Sequence, residues 1–184
     1  MNNVDSNFQK QLITMLSKNY FSLFELPLFF KIDHEILKQK RWDLQKQYHP
    51  DNHQHQNLVN EIVTLSSYIN QAYQVLICPY SRAQYLLNLL NTDSYNKSND
   101  IISQDQDLLI QQMKIREDIE TAINNDNQCQ LTELEKDVSN TINQLEKQIG
   151  TLFELKHYQH IQKQIDRLLF YQKTIDIIIE AKML

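Results

Sequence analysis

The sequence contains very few of the residues that make tight turns. Its 184 residues include one glycine, Gly150, and three prolines. Hairpin turns and phosphate-binding loops draw on several glycines in short windows, so both common nucleotide-binding loops are excluded and a sheet-rich fold is disfavoured. The two cysteines, Cys78 and Cys129, lie far apart, and their spacing fits neither a zinc site nor a disulfide framework.

Strong charge of one sign and long apolar runs are also lacking. The formal net charge is -5, which argues against a nucleic-acid-binding surface over the whole protein. No apolar run approaches the roughly 18 residues of a membrane span, and no apolar segment typical of a secretory signal occurs near the N-terminus. We therefore expect a cytoplasmic protein that binds neither nucleic acid nor membrane.

Helical periodicity dominates what is present in the first half. Residues 1–18 predict a polar tail with at most a turn or two of amphipathic helix and no assigned function. Asp33 suits the N-cap of a helix over about 34–48. A polar loop then leads to a second helix, whose apolar stripe comprises Leu58, Ile62, Leu65, Ile69, Ala72 and Leu76. A short loop between two such helices predicts an antiparallel hairpin, and a shorter helix follows Pro79.

The second half predicts a separate helical domain. Residues 91–103 are rich in Asn, Ser and Asp and form the expected linker. Three helices are predicted after it, at about 104–124, 128–148 and 154–182, with Gly150 as the C-cap of the middle one. The positions expected to face the core from the first of these are Leu108, Ile115, Ile119, Ala122 and Ile123. The sequence therefore predicts an all-α fold that ends in a three-helix bundle over 104–184.

The triplet His49-Pro50-Asp51 is the sharpest local feature of the sequence. Proline fixes the backbone between a titratable ring and a carboxylate at the tip of the predicted hairpin. Neither a nucleophile elbow nor a pair of carboxylates in a catalytic context accompanies it, so we expect a protein that is not an enzyme and has no catalytic residue. We likewise expect no cofactor and no bound metal.

Several segments together resemble one known family. A basic helix that ends in Tyr-His-Pro-Asp and precedes an antiparallel apolar helix resembles the J-domain. Further segments resemble the YFxLFxLP, INxAYxxL and RAxYLL signatures of the HscB family, the specialised J-proteins of iron–sulfur cluster biogenesis; they are Tyr20–Pro27, Ile69–Leu76, Pro79 and Arg82–Leu87. The resemblance runs from about Tyr20 to the C-terminus and leaves the N-terminal tail unmatched.

The resemblance implies a co-chaperone with a J-domain over 19–90, a short helical hairpin with flanking helices. In this family the J-domain docks on an Hsp70-type chaperone (HscA-like) and stimulates its ATPase. The residues of this sequence at the implied docking positions are His49, Pro50, Asp51, Lys38, Lys40, Arg41 and Lys46. Charged residues around such a contact mainly steer the encounter.

Three positions in this segment depart from the family pattern. Asn52 stands where many J-domains have lysine, which reduces the positive patch. Arg41 stands where an aromatic residue usually packs, and Trp42 is displaced from that position by one residue. We expect Arg41 to lay its stem along the core and to leave its charged head free.

The resemblance also implies a second partner, an iron–sulfur cluster scaffold protein (IscU-like), which the C-terminal bundle holds. Periodicity places several large apolar residues and one charged residue away from the predicted core, and these positions match the scaffold-binding positions of the family. They are Leu109, Ile110, Met113, Glu117 and Phe170. Lys114 takes a place where the family has an acidic residue, which implies a compensating acidic residue on the scaffold.

Two other interpretations remain open on the sequence. The first is a J-domain protein of the same two-domain plan that serves a different client. The second is a metal-binding helical adaptor that uses His49, His53 and His55, although Pro50 breaks the helix between the first two and no cysteine lies near.

Overall fold

The computed structural model describes residues 3–49, 51, 58–90 and 106–183, with side chains from residue 7 onward. The described residues form helices joined by short turns and contain no strand. The helices are α1 (Asn3–Ser17), α2 (Tyr20–Leu23), α3 (His34–Gln47), α4 (Val59–Ile77), α5 (Pro79–Leu90), α6 (Gln106–Asn124), α7 (Gln128–Glu154) and α8 (Tyr158–Met183). The predicted all-α class, a J-domain followed by a helical C-terminal domain, is confirmed.

The chain divides into two compact units, Met1–Leu86 and Leu87–Leu184. The predicted linker over 91–103 lies outside the described residues. The predicted boundaries of the J-domain and the bundle therefore stay predictions. Among the described residues, no helix is both long and apolar enough to cross a membrane.

The first unit is built around the predicted hairpin of α3 and α4. The Asp33 carboxylate accepts hydrogen bonds from the amides of Glu35 and Ile36 at 2.9 and 3.1 Å, which confirms Asp33 as the N-cap. All six positions of the predicted α4 stripe are buried. Leu37 and Tyr48 of the α3 segment are buried as well. The apolar faces of the two helices thus form the core that fixes the direction of the hairpin.

Arg82 closes the corner between α4 and α5. Its side chain is only 2% exposed, and one guanidinium nitrogen donates to the carbonyl of Leu76 at 2.6 Å. The guanidinium also lies 4.9 Å from the centre of the Phe30 ring. A carbonyl at the end of α4 that has no partner inside the helix is therefore satisfied by a buried cation. This contact gives a structural reason for the Arg-Ala pair in the third signature segment.

The N-terminal segment differs from its prediction. Instead of a loose tail with a turn or two, residues 3–17 form a helix that packs against α4. Leu12 of this helix is fully buried. The prediction rested on Leu12, Ile13 and Leu16, whereas Phe8, Leu12 and Met15, spaced by four and three residues, lie on the less exposed side of the helix.

The second unit is a three-helix bundle in which α7 and α8 form the longest contact. Its core is supplied mainly by these two helices, through Leu131, Val138, Leu145, Ile149, Phe153, Ile161, Ile165, Leu168, Tyr171 and Ile178. From α6, Ile119 and Ala122 are buried. The shorter helix α6 therefore covers one side of a core that α7 and α8 largely complete by themselves.

Two predictions within this bundle are wrong. Ile123 is 45% exposed instead of buried, because it lies about 100° around the helix from the fully buried Ala122, at the edge of the predicted core side. Gly150 is not a C-cap: it is half-buried inside α7, which continues to Glu154.

Three helices end in the same left-handed cap without glycine. Glu25, Asp126 and Lys156 have φ angles of 53°, 48° and 57°. At the end of α7 the amide of His157 donates to the carbonyl of Leu152 at 2.9 Å, the long bond of a Schellman motif. The same pattern of bonds follows α2 and α6. With a single glycine in the chain, ordinary residues occupy positions that favour glycine.

We expect Lys156→Gly to stabilise the second unit by up to about 1 kcal/mol, because glycine removes the steric cost of the left-handed conformation. The measurement is the free energy of unfolding in urea. Lys156→Ala, which removes the charge but keeps the Cβ atom, serves as the control and should give no gain. Equal unfolding free energies for the two variants would contradict the expectation.

Candidate functional site

The end of α3 presents two polar side chains to solvent. His49 directly follows Tyr48, the C-cap of α3, whose amide donates to the carbonyl of Leu44 at 2.9 Å. The side chains of His49 and Asp51 are 55% and 75% exposed. Pro50 and Asn52 lie outside the described residues. The two titratable members of the triplet are thus available to a partner at the end of the hairpin.

Asp51 contacts the ring of His49 in two ways. The backbone N–H of Asp51 donates to Nδ1 of His49 at 3.3 Å, and the Asp51 carboxylate oxygen Oδ2 lies 3.7 Å from the same nitrogen. A histidine ring carries at least one N–H in either charge state. The pair therefore combines a ring N–H donor with an exposed carboxylate acceptor, which suits recognition of polar groups on another protein.

The four basic residues predicted for docking do not share one surface. Lys38 and Lys46 are exposed and stand eight residues apart, so they lie on the same face of α3. Trp42 lies between them on that face; it is 57% exposed, and Nζ of Lys46 is 5.1 Å from the centre of its ring. We call Lys38, Trp42 and Lys46 the α3 face. Trp42 lies four residues from each lysine, and this spacing is the sequence signal that places it on the same face.

Lys40 lies on another side of α3. Its Nζ atom forms an ion pair with the carboxylate of Glu25, the residue in the left-handed conformation after α2. The hydrogen bond from Lys40, followed by its positive charge, lowers the pKa of Glu25. Lys40 therefore joins α3 to the turn after α2 and is not part of the α3 face.

The head of Arg41 is not free, contrary to the sequence prediction. Its guanidinium lies 4.2 Å from the centre of the Tyr73 ring and donates to Oδ1 of Asn70 at 3.3 Å. The same Asn70 oxygen accepts a bond from Nε2 of Gln45 at 2.7 Å. Arg41 thus replaces an aromatic core residue by stacking its planar head on an aromatic ring of α4. It lies between the two helices of the hairpin.

The second unit carries an exposed apolar surface on α6. Leu109, Ile110 and Met113 are 50%, 66% and 67% exposed, and we call these three residues the α6 patch. Glu117, one turn further along the helix, and Lys114 are also exposed. Large apolar side chains grouped on a helix and bordered by charges are typical of a binding surface for another protein.

Phe170 lies on α8 and is only partly exposed. Its ring packs edge-to-face on Tyr171, with 5.0 Å between the ring centres. The hydroxyl of Tyr171 donates to Oε1 of Gln111, the residue after Ile110. This bond holds the Phe170 segment of α8 beside the turn of α6 that carries the α6 patch. The structure therefore brings the predicted residues of both helices to one region of the bundle.

The metal-site interpretation rests on three histidines, of which His49 is described, while His53 and His55 lie outside the described residues. Within the described ranges, no three or more His, Cys, Asp or Glu side chains are grouped so that they could hold a metal ion.

Comparison with known proteins finds relatives that match most of this chain. A family model described as the HSCB C-terminal oligomerisation domain matches residues 104–178. The co-chaperone protein HscB homolog of Haemophilus ducreyi is 32% identical over 171 residues, which cover 91% of this chain and 98% of that protein. The homolog of Psychromonas ingrahamii is 36% identical over 169 residues and covers 90% and 98%. This chain belongs to the HscB family of co-chaperones.

A solved HscB structure shows the same fold. The chaperone HscB from Vibrio cholerae superposes with a TM-score of 0.78 at 28% identity, over 91% of this chain and 100% of that one. The resemblance predicted from the signature segments is thereby confirmed, for the J-domain half and for the helical C-terminal half alike.

Arg41 departs from the HscB family pattern, and its contacts with α4 explain how the fold accommodates it. We expect Arg41→Ala to lower the free energy of unfolding of the first unit by about 1–3 kcal/mol, because it removes a shielded cation–π contact and a charge-assisted hydrogen bond. Arg41→Phe, which restores an aromatic ring, should recover part of the loss. Urea unfolding measures both, with Lys38→Ala on the α3 face as the control. Equal losses for Lys38→Ala and Arg41→Ala would contradict the placement of Arg41.

Proposed function

We propose that this HscB-family protein stimulates the ATPase of an Hsp70-type chaperone (HscA-like) and delivers an iron–sulfur scaffold protein (IscU-like) to it during the maturation of iron–sulfur proteins. The observation that carries the proposal is the exposure of His49 and Asp51 at the end of α3. The α6 patch, exposed in the other compact unit, supports the second partner. An adaptor needs two such surfaces that do not compete for the same residues.

The chaperone contact is proposed to combine the triplet with the α3 face. The side chains of Lys38, Trp42, Lys46, His49 and Asp51 are all exposed on or directly after α3. The lysines raise the encounter rate with an acidic partner surface, and Trp42 supplies a rigid ring of the kind that dominates many interfaces. Lys40 and Arg41, which the family resemblance implies as docking residues, are proposed to hold the hairpin together instead.

Stimulation requires no chemistry on the co-chaperone itself. A bound protein accelerates hydrolysis when it binds the hydrolysis-competent conformation of the chaperone more tightly than the resting one. The His49–Asp51 pair offers one donor and one acceptor for that selective contact. We therefore propose that ATP is bound and hydrolysed on the chaperone, and that this protein is a cytoplasmic binding partner and not an enzyme.

The scaffold contact is proposed to form on the α6 patch with Phe170 beside it. Burying the exposed parts of Leu109, Ile110 and Met113 supplies the apolar core of an interface, while Glu117 lies at its rim. Lys114, exposed next to Met113, selects a scaffold with an acidic group at that point. If a different client binds instead, its binding surface should likewise be apolar with an acidic group at its edge.

We expect His49→Gln and Asp51→Asn each to reduce stimulation of the cognate Hsp70 by about tenfold or more, because each removes a central polar contact of the interface. The measurement is steady-state ATP hydrolysis by the chaperone with increasing co-chaperone. His157→Gln and Asp176→Asn, exposed on the second unit, are the matched controls and should stimulate like the wild type. Full stimulation by the His49 and Asp51 variants would overturn the first half of the proposal.

The scaffold contact predicts that the triple variant Leu109→Ala, Met113→Ala and Phe170→Ala binds the scaffold about a hundredfold more weakly. Isothermal titration of the purified proteins measures the loss. Met183→Ala, an 80% exposed methionine on α8 outside the α6 patch, is the control. Wild-type affinity in the triple variant would remove the α6 patch from the proposal, and binding to another client but not to the scaffold would favour the alternative function.

A further inference from the structure

Helix α1 precedes the segment that resembles the HscB family, yet it is integrated into the first unit. It packs on α4 through the fully buried Leu12. At its C-terminal end, the hydroxyl of Tyr68 donates to the carbonyl of Lys18 at 2.6 Å. The helix is therefore fixed at its middle by apolar burial and just beyond its end by a hydrogen bond from α4.

The other end of α1 reaches Tyr48, the residue that directly precedes His49. Tyr48 is 2% exposed. The ring of Phe8 stacks on the Tyr48 ring with 6.5 Å between centres and an angle of 25°. Nε2 of Gln11 donates to the Tyr48 hydroxyl oxygen at 3.0 Å, and Nε2 of Gln47 lies 3.3 Å from the same oxygen. Both the face and the tip of the Tyr48 ring thus have partners on α1.

A groove of about 310 Å³ opens between α1 and α3, and its walls include Gln11 and Met15 from α1 and Asp43 and Tyr48 from the α3 segment. Phe8 and Gln11 both contact Tyr48 beside this groove, so the Tyr48 ring is a point where α1 acts directly on the end of α3. Burial of the Tyr48 hydroxyl raises its pKa, which is consistent with a ring held in a shielded site.

We propose that α1 is a brace that holds Tyr48, and through it His49 and Asp51, in the geometry that engages the chaperone. Phe8 and Gln11 are its positioning residues. This inference rests on the proposed chaperone contact. The His49 side chain remains 55% exposed with α1 in place, so α1 supports the triplet without covering it.

The expected effect follows from the fraction of molecules that hold the docking geometry. Without the brace the Tyr48 ring and the last turn of α3 sample other conformations, and the docking geometry is populated for only part of the time. The apparent dissociation constant for the chaperone then equals the intrinsic constant divided by that fraction. The bound complex itself is unchanged. Loss of the brace should therefore raise the co-chaperone concentration that gives half-maximal stimulation, without lowering the maximal stimulation. Loss of His49 itself lowers the maximum.

The test uses the full chain with Phe8→Ala and Gln11→Ala combined. We expect the co-chaperone concentration that gives half-maximal ATPase stimulation to rise by roughly two- to tenfold, with the maximum unchanged. Gln9→Ala, exposed on the same helix, is the matched control and should leave both values unchanged. Tyr48→Phe keeps the ring and removes only the hydroxyl, so it should give a smaller shift in the same direction and keeps the test valid if the double variant unfolds.

A second measurement needs no partner. Hydrogen exchange of the Tyr48 amide, which bonds to the Leu44 carbonyl, should be faster in the double variant, while the amide of Ile69 in the middle of α4 exchanges as before. Unchanged exchange at Tyr48, or unchanged half-saturation, overturns the brace. Stronger stimulation by the double variant also overturns it, because α1 would then restrain docking. If the wild type itself fails to stimulate while exchange at Tyr48 does respond, the proposed chaperone contact fails and the structural support of Tyr48 by α1 stands.

Discussion

The apolar contact between α3 and α4 is the constraint on which the rest of the first unit depends. Leu37 and Tyr48 on one side and the six-residue stripe of α4 on the other are buried together in the core of this unit. Because this contact fixes which side of α3 faces inward, it also fixes which side faces solvent. The exposure of the α3 face is a consequence of that burial.

The exposed apolar surface of the second unit has a different physical origin. Helices α7 and α8, of 27 and 26 residues, bury most of the core between them, and α6, of 19 residues, adds two buried positions. A helix that is needed for so little of the core can carry large apolar residues elsewhere on its circumference. The buried positions Ile119 and Ala122 lie near the C-terminal end of α6, while Leu109, Ile110 and Met113 nearer its start stay exposed.

Much of this was predictable from the sequence, and the failures have physical causes. The α4 stripe, the Asp33 cap and the division of α6 into core and exposed sides follow from a period of about 3.6 residues. The same periodicity placed Ile123 in the core, although it lies about 100° around the helix from the buried Ala122, at the edge of the predicted core side. Gly150 was interpreted through its backbone freedom, whereas α7 continues past it to Glu154. The prediction for α1 rested on Leu12, Ile13 and Leu16, whereas Phe8, Leu12 and Met15, spaced by four and three residues, lie on its less exposed side.

The assignment of basic residues around α3 shows most clearly what periodicity leaves undecided. It can group residues by angle, but it cannot tell which groups other elements will occupy. Glu25, held after α2 by a left-handed turn, takes Lys40; Tyr73 and Asn70 of α4 take Arg41. Each of these partners comes from a distant part of the sequence, so which basic residues of α3 stay exposed is known only after the tertiary contacts are known. Lys38, Trp42 and Lys46 stay exposed together on one side of α3, away from the partners of Lys40 and Arg41.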